Sequence, residues 1–172
     1  MIFNQDLRQY KKETTRSAIH EPIYLLIFLY RCINTIHYSK LRIPRIFGLV
    51  LLYPFYLFIN IIFGVSIPRN CNIGRGLIIY HYSGIVINGN VVIGENCVIR
   101  QGVTIGNKNF ENDVPTLGDN VDIGAGAVII GRIKIGNNVK IGANAVVLKD
   151  VPDNHIAVGN PARNIKDKYG GT

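Results

Sequence analysis

The feature that most constrains this fold is an aliphatic residue that returns at every sixth position. A period of six matches neither the 3.6-residue turn of a helix nor the two-residue alternation of an ordinary strand. It is typical of a solenoid in which three short strands make one triangular coil. The clean part of the series comprises Leu117, Ile123, Ile129, Ile135, Ile141 and Val147. The chain is therefore expected to be mainly β, with about four to five coils.

The six-residue rhythm is interrupted twice. From Ile79 to Ile87 the spacing is eight rather than six, and the slip falls on the sequence Tyr-His-Tyr-Ser-Gly at residues 80–84. The second interruption covers residues 107–116, where Glu111 stands at a position due for an aliphatic residue. Functional sites are often built on departures from a regular scaffold, so both interruptions are candidate sites.

His81 lies within the first interruption and is a candidate general base. An imidazole takes up a proton near neutral pH and can activate a hydroxyl nucleophile. The alternative is a histidine that only packs in a turn, and the residues alone leave both interpretations open.

Small residues near Ala125 and Ala143 also have two interpretations. Tight corners of a coil require them, or they leave a groove for a thin, extended ligand that lies along backbone amides. Lys149 and Arg163 follow near one end of that wall, where they can bind phosphates or belong to a solvated basic tail.

The formal charge of +8 comes without any nucleic-acid-binding motif, so nucleic acid is not expected as a partner. A basic surface also suits a phosphorylated cofactor, an acidic glycan or an anionic membrane face. Cys71 and Cys97 fall on core positions of the repeat and are interpreted as small core residues, with no metal site expected. The N-terminus shows no secretory signal, so a cytoplasmic location is expected.

The chain divides into an N-terminal helical segment (1–64), a solenoid (65–165) and a flexible tail (166–172). Helices are predicted at residues 5–19, 22–40 and 46–64, and residues 46–64 carry no charge. This apolar segment has three interpretations: a cap on the solenoid end or a partner subunit, a peripheral contact with the inner membrane face, or a membrane span. The peripheral membrane contact is expected to include the nearby cations Arg31, Lys40, Arg42 and Arg45. The flat faces of a triangular coil favour packing as a homotrimer.

Several short sequence motifs together resemble one protein family. The segments GVTIG, IGAGA, KDVP and GNPAR, with the slip at His81, are similar to the hexapeptide acyltransferases and to their serine acetyltransferase branch over residues 64–165. The resemblance implies a left-handed parallel β-helix and acetyl-CoA as co-substrate. It also implies that His81 is the catalytic base, because residues 80–84 align with a turn whose sequence in the family is Asp-His-Ala-Thr-Gly.

By the same resemblance, CoA is expected beside Gly106, Asn107, Ala125 and Ala143, in a cleft between subunits. Lys149 and Arg163 are assigned to the cofactor as well. Acceptor binding is assigned to residues around the two interruptions, namely Tyr80, Tyr82, Glu111 and Asp113.

Three departures from the family pattern bear on the acceptor. Tyr80 replaces the Asp before the catalytic His, Ser66 replaces the Asp that orients it, and Val114 replaces a loop His that holds serine. A buried charged substrate needs paired partners, so their loss argues against serine. The pattern resembles the acetyltransferases of capsule and colanic acid clusters, which implies an O-acetyltransferase acting on a sugar hydroxyl in surface polysaccharide biosynthesis. The alternatives are a serine O-acetyltransferase and a non-catalytic trimeric scaffold.

Overall fold

A computed structural model describes residues 2–13 and 22–166 as three helices followed by fifteen short strands. The helices are α1 (Ile2–Glu13), α2 (Ile23–His37) and α3 (Arg42–Phe63). The strands are β1 (Val65–Ser66), β2 (Asn72–Ile73), β3 (Ile78–Tyr80), β4 (Ile85–Ile87), β5 (Val92–Ile93), β6 (Val98–Arg100), β7 (Thr104–Gly106), β8 (Thr116–Leu117), β9 (Asp122–Ile123), β10 (Val128–Ile130), β11 (Lys134–Ile135), β12 (Lys140–Ile141), β13 (Val146–Val147), β14 (His155–Val158) and β15 (Arg163–Lys166).

The strands form three sheets, one for each face of the coil. Sheet A has the order β1-β4-β7-β10-β13, sheet B has β2-β5-β8-β11, and sheet C has β3-β6-β9-β12-β14-β15. Every pairing is parallel except that of β14 with β15. The register places Ile87 beside Ile105, and Ile105 beside Ile129. The predicted fold class is confirmed: the chain is a parallel β-solenoid of about five turns with an N-terminal helical region.

The interior of the solenoid is a column of aliphatic and small side chains. All six residues of the clean series are 0 to 3% exposed. Cys71 and Cys97 lie in the same interior, and burial raises their pKa to about 12 and about 11. Their predicted role as small core residues is confirmed.

An asparagine ladder runs along the corner between sheets B and C. Asn96, Asn120, Asn138 and Asn154 all have φ between 55° and 58°, a region that Asn tolerates better than most residues. Each side-chain amide of the first three donates to the side-chain oxygen Oδ1 of the next asparagine, at 3.0 to 3.3 Å. The ladder therefore satisfies the polar side chains that these turns require.

Side chains from the helices cover the first coil, which has no preceding coil to pair with. From α2, Tyr30 donates to the carbonyl of Cys71 at 2.7 Å, and Asn34 donates to the carbonyl of Arg69 at 2.8 Å. From α3, Tyr56 donates to the carbonyl of Ile67 at 2.5 Å. Burial raises the pKa of both tyrosines, so their hydroxyls remain protonated donors. The helices thus close a sheet edge that would otherwise be open to pairing.

The centre of this cover is a buried ion pair between Arg31 and Asp6. Two bonds of 3.0 Å join them, and Arg31 also donates to the carbonyls of Ile73 and Gly74. Asp6 accepts from the amides of Gly76 and Leu77. Burial raises the pKa of Asp6, while Arg31 and the two amides act in the opposite direction. Arg31 is only 6% exposed and is paired with Asp6, so the expectation that it takes part in a membrane contact was wrong.

Helix α3 exposes a long apolar surface. Ten of its large apolar side chains are 44 to 83% exposed: Ile43, Ile46, Phe47, Val50, Leu51, Phe55, Leu57, Phe58, Ile61 and Ile62. The segment Arg45–Phe63 is long and apolar enough to cross a membrane, and only 17% of it is buried. Its opposite side, with Tyr56, Ile59 and Asn60, packs against the rest of the protein.

The ends of the elements differ in places from the prediction. Helix α1 begins three residues earlier than expected and ends at Glu13, and residues 14–19 of the predicted helix lie outside the described residues. At the C-terminus, β15 includes Lys166, which had been assigned to the tail. The remaining tail residues lie outside the described part of the chain.

Candidate active site

The phase slip at His81 is a two-residue insertion in one corner of the solenoid. In the corner between sheets C and A, Gly84, Gly102 and Gly126 stack in successive coils with φ of 66° to 70°. The amide of Gly102 donates to the carbonyl of Ser83, just as the amide of Gly126 donates to that of Gln101. Ser83 and Gly84 therefore fill the ordinary corner positions. Because β3 ends at Tyr80, the two additional residues are His81 and Tyr82.

His81 projects from this insertion with a backbone φ of 54°. This left-handed conformation is uncommon for residues other than glycine, although His is among those that adopt it. Its side chain is exposed, and no hydrogen bond to the imidazole is found within residues 2–13 and 22–166. The ring is therefore available to exchange a proton with a bound acceptor.

Aromatic residues of the helical region hold both neighbours of His81. The ring of Tyr82 meets Phe63, the last residue of α3, edge-on at a centroid distance of 4.7 Å. On the other side, the ring of Tyr80 lies 6.3 Å from that of Tyr10 in α1, and 5.8 Å from the guanidinium carbon of Arg100. The helical region thus positions the insertion. No local pattern pointed to Tyr10 or Phe63, because their contacts join the helical region to the solenoid.

Ala125 and Ala143 follow in the same corner, in the two coils beyond Gln101. The amide of Asn144 donates to the carbonyl of Ala125 at 2.8 Å, which continues the ladder that begins at Ser83. Ala125 is half-buried and Ala143 is exposed, so no large side chain covers this end of the corner. The close approach of the coils also matters: a Cβ on Gly124 would lie 2.5 Å from the amide nitrogen of Ala143. The small residues therefore have a structural role as well.

Arg163 lies near the same corner, at the start of β15. The turn before it is tied to the last strand of sheet A, because the amide of Val146 donates to Gly159 and that of Ala162 donates to Val146. Arg163 is exposed. The structure thus brings Tyr80, His81, Tyr82, Ala125, Ala143 and Arg163 along one edge of sheet A.

The other predicted residues lie at the opposite edge of sheet A, where the chain turns towards sheet B. Gly106 ends β7, and the segment 107–115 then leaves the solenoid, one residue shorter than expected because Thr116 begins β8. Asn107 accepts a hydrogen bond from the side chain of Asn88 at 3.2 Å. Lys149 follows β13 at this edge and is exposed.

Asp113 holds the loop of residues 107–115 to the solenoid. Its carboxylate accepts from the amide of Arg132 at 2.7 Å and from that of Asn109 at 3.4 Å. Glu111, by contrast, is exposed. The assignment of both residues to acceptor binding stays a prediction, and Asp113 has a structural role that the sequence analysis did not identify.

The two groups of predicted residues lie on opposite edges of sheet A within one chain. Val103 and Asn107 flank the three residues of β7, and the four steps between them correspond to roughly 13 Å across the face. Two cavities of about 520 and 490 Å³ lie elsewhere, one among the helices and one at the end of sheet B, and His81 lines neither. No group of three His, Cys, Asp or Glu residues suited to a metal ion is found in the described ranges.

The ion pair nearest to the insertion joins Arg100 to Asp122, on adjacent strands of sheet C. Arg100 also donates to the carbonyl of Ile123 at 3.3 Å. This pair keeps the guanidinium beside Tyr80, and the charge next to the site is therefore already balanced.

Comparisons with known proteins identify related sequences. The family described as bacterial transferase hexapeptide (six repeats) matches residues 115–149. A chloroplastic serine acetyltransferase 1 of Arabidopsis thaliana is 51% identical over 108 residues, which are 62% of this chain and 34% of that protein. A putative colanic acid biosynthesis acetyltransferase of Escherichia coli K12 is 47% identical over 102 residues, which are 59% of this chain and 63% of that protein.

Solved structures share the fold over most of the chain. Soybean serine acetyltransferase apoenzyme aligns with 95% of this chain and 67% of its own, with a TM-score of 0.82 and 35% identity. A serine acetyltransferase in complex with CoA aligns with 95% of this chain and 68% of its own, with a TM-score of 0.80 and 30% identity. The chain spans about a third of the length of the Arabidopsis protein and less than two thirds of the Escherichia coli protein.

Proposed function

The chain belongs to the hexapeptide transferase family, in its serine acetyltransferase-like branch, and from this premise we propose that it transfers the acetyl group of acetyl-CoA to a hydroxyl acceptor. The observation that carries the proposal is His81. It is an exposed imidazole on a two-residue insertion, at the head of a corner that has small side chains at Ala125 and Ala143.

The proposed reaction is a direct transfer. His81 accepts the proton of the acceptor hydroxyl as its oxygen attacks the thioester carbonyl of acetyl-CoA. The new bond joins that oxygen to the acetyl carbon, the carbon–sulfur bond breaks, and the imidazolium returns the proton to the departing CoA thiolate. The products are the acetyl ester and CoA, and no oxidant, reductant or covalent enzyme intermediate is required.

The oxyanion of the transition state needs hydrogen-bond donors. The amides of Gly102, Gly126 and Asn144 already donate to carbonyls of the preceding coils. Donors are therefore assigned to the amides of the insertion itself, which stands outside this ladder.

Acetyl-CoA is proposed to bind between subunits of a homotrimer. Small or exposed residues suited to it lie on both edges of sheet A, with Ala125, Ala143 and Arg163 on one and Gly106, Asn107 and Lys149 on the other. One chain does not enclose a ligand between these edges, whereas a neighbouring copy in a trimer can present its opposite edge. The similar serine acetyltransferase solved with CoA supports the co-substrate.

A sugar hydroxyl is the acceptor that we propose first. The side chain of Tyr80 lies among Tyr10 and Arg100, Ser66 is exposed on β1, and Val114 is half-buried against the core. None of the three carries a charge for the ammonium or carboxylate of an amino acid. Two tyrosines beside His81 suit a neutral, hydroxylated ligand, and a putative colanic acid biosynthesis acetyltransferase is among the relatives.

L-Serine is the second candidate acceptor, and the comparisons favour it at least as strongly. The Arabidopsis relative and the soybean structure are both named serine acetyltransferases. A third possibility is that the chain keeps the solenoid as a trimeric scaffold without catalysis.

One experiment separates the three. Release of CoA thiol is measured with acetyl-CoA and a panel of sugars, nucleotide sugars and L-serine. We expect sugar-dependent release, lowered about 10²- to 10⁴-fold by His81→Ala. Gln101→Ala, at the same corner one coil later, serves as the matched control and is expected to keep its rate. Efficient release with L-serine would overturn the sugar assignment, and unchanged rates in His81→Ala would overturn the role of His81. No release with any acceptor would favour the scaffold.

A further inference from the structure

The exposed side of α3 carries a continuous apolar stripe. Ile43, Phe47, Val50, Phe58 and Ile61 recur at helical spacing and are 57 to 83% exposed. At 1.5 Å per residue, the stripe is roughly 27 Å long. An apolar surface of this length on a protein exterior marks a binding surface, because isolated apolar residues are normal whereas contiguous patches are not.

The charge around α3 restricts what can bind there. Residues 22–94 contain no Asp or Glu, but they contain six Lys or Arg residues. Arg31 pairs with Asp6, and Arg75 pairs with Glu95. The other four, Lys40, Arg42, Arg45 and Arg69, have no acidic partner within the described residues. A partner for this surface must therefore be both apolar and anionic.

Lys40 precedes α3, Arg42 and Arg45 lie in its first turn, and Arg69 contacts its middle. The guanidinium carbon of Arg69 lies 4.7 Å above the ring of Tyr53. Burial lowers the pKa of His37, and the nearby charges of Arg69 and Arg45 lower it further. By helical spacing, Arg45 lies opposite the stripe. A helix lying in a membrane interface has this arrangement, with apolar residues on one side and cations towards the headgroups.

A second copy of the chain fits this surface poorly. The same surface on a second copy supplies no carboxylate for Lys40, Arg42, Arg45 and Arg69, because residues 22–94 contain no Asp or Glu. A spanning orientation is also disfavoured. The side of α3 that bears Tyr56, Ile59 and Asn60 is buried against the protein, and Tyr56 is bonded to Ile67 of the first coil. Lipid cannot surround this helix unless those contacts are broken.

We propose that α3 docks in the plane of an anionic membrane surface, with the stripe in the lipid and Lys40, Arg42, Arg45 and Arg69 at the headgroups. The docking does not depend on the acetyl transfer. If the proposed function also holds, Phe63 at the end of α3 places the His81 insertion beside the bilayer through its contact with Tyr82. Acceptors anchored to lipid would then be presented directly to His81.

The test uses the full chain and vesicles, and acetyl transfer is not a readout. Flotation with vesicles of phosphatidylcholine and phosphatidylglycerol is compared with flotation on phosphatidylcholine alone. We expect binding to the anionic vesicles, lowered about fivefold for each cation removed in Lys40→Ala and Arg42→Ala. The double variant Phe47→Ser and Phe58→Ser is expected to lower it at least tenfold. Phe110→Ser removes an aromatic residue that is 77% exposed on the 107–115 loop, and it serves as the control.

Two further measurements distinguish docking in the membrane plane from a membrane span and from contact with a second copy of the chain. The chain has no Trp, so Phe47→Trp supplies a single tryptophan, which can be excited apart from the nine tyrosines. Its emission is expected to shift to the blue on addition of anionic vesicles, with stronger quenching by lipids labelled near the headgroup than by lipids labelled near the bilayer centre. Phe110→Trp is expected not to shift. Quenching mainly from the bilayer centre would favour a span and overturn in-plane docking.

Sedimentation of the lipid-free protein tests a second copy as the occupant. We expect the wild type and the double variant Phe47→Ser and Phe58→Ser to have the same assembly mass. A smaller assembly for the double variant would show that the stripe joins subunits, and equal absence of binding to both vesicle types would likewise overturn the proposal.

Discussion

The regular half of the solenoid, residues 117–147, and its first coil satisfy their backbone groups in different ways. In the regular half, each coil bonds to the next through main-chain groups, such as the amide of Asp122 to the carbonyl of Val139 at 2.9 Å. In the first coil, the main-chain carbonyls that face the helices accept hydrogen bonds from the side chains of Tyr30, Arg31 and Tyr56. The regular half is thus held by contacts that most substitutions leave intact, whereas the first coil depends on a few particular side chains.

The same contrast applies to the corners between sheets C and A. At Gln101 and Ala125 the chain turns within the ladder, and each corner supports the next. At His81 two extra residues leave the ladder. Phe63 contacts one of them, Tyr82, and Tyr10 contacts Tyr80, the strand residue just before them. The helical region therefore both closes the solenoid edge and positions the candidate base.

The largest effect is expected from Arg31→Ala. The substitution leaves Asp6 buried without its counter-charge, which should lower the free energy of unfolding by about 3–5 kcal/mol. The matched control is Arg75→Ala, which breaks an exposed pair with Glu95 and should cost about 1 kcal/mol or less. Urea unfolding of both variants at one protein concentration measures the difference. Equal losses would mean that the first coil does not depend on this cover.

A smaller effect is expected from Ala143→Leu at the exposed end of the corner. A larger side chain there should obstruct the acetyl-CoA groove and raise the KM for acetyl-CoA about tenfold, with kcat less affected. The urea midpoint should remain that of the wild type, because Ala143 is exposed. An unchanged KM would place the cofactor elsewhere.

The aromatic support of the insertion is tested by Phe63→Ala. The edge-to-face contact with Tyr82 is worth about 0.5–1.5 kcal/mol, so kcat should fall at most about tenfold. Phe55→Ala, on the same helix and 47% exposed, is the control and should leave kcat unchanged. A fall in both variants would point to a general effect of α3 rather than to the positioning of His81.

The smallest effect is expected in the alkylation rates of the cysteine thiols, which are measured independently of acetyl transfer. Cys71 of the first coil and Cys97 of the next are buried, with pKa values raised to about 12 and about 11. Neither should be alkylated in the folded protein near neutral pH. Burial also raises the pKa of Cys32, but this thiol is partly exposed and should react faster than the other two. Mass spectrometry after brief alkylation measures this. Modification of Cys71 ahead of Cys97 would show that the first coil opens more readily than the coil behind it.

Much of the candidate site was predictable because periodicity reveals its own interruptions. A strict six-residue repeat predicts coils, so the eight-residue spacing around His81 by itself indicates an insertion. The clean series predicted which residues are buried, including Cys71 and Cys97. The burial of Arg31 could not be predicted in this way. Its partner Asp6 lies 25 residues earlier in the chain, and no local pattern connects the two.

The coil, its core and the position of the candidate base could be predicted from the sequence, because each depends on the spacing of residues close together in the chain. Three other features became clear only in the folded chain: the division of the predicted site residues between two edges of sheet A, the cover of the first coil by helical side chains, and the side of α3 that stays exposed. These depend on contacts between segments far apart in the chain. Composition and periodicity do not encode which segments meet, since the same apolar residues on α3 are compatible with a buried core, a subunit contact or a membrane surface.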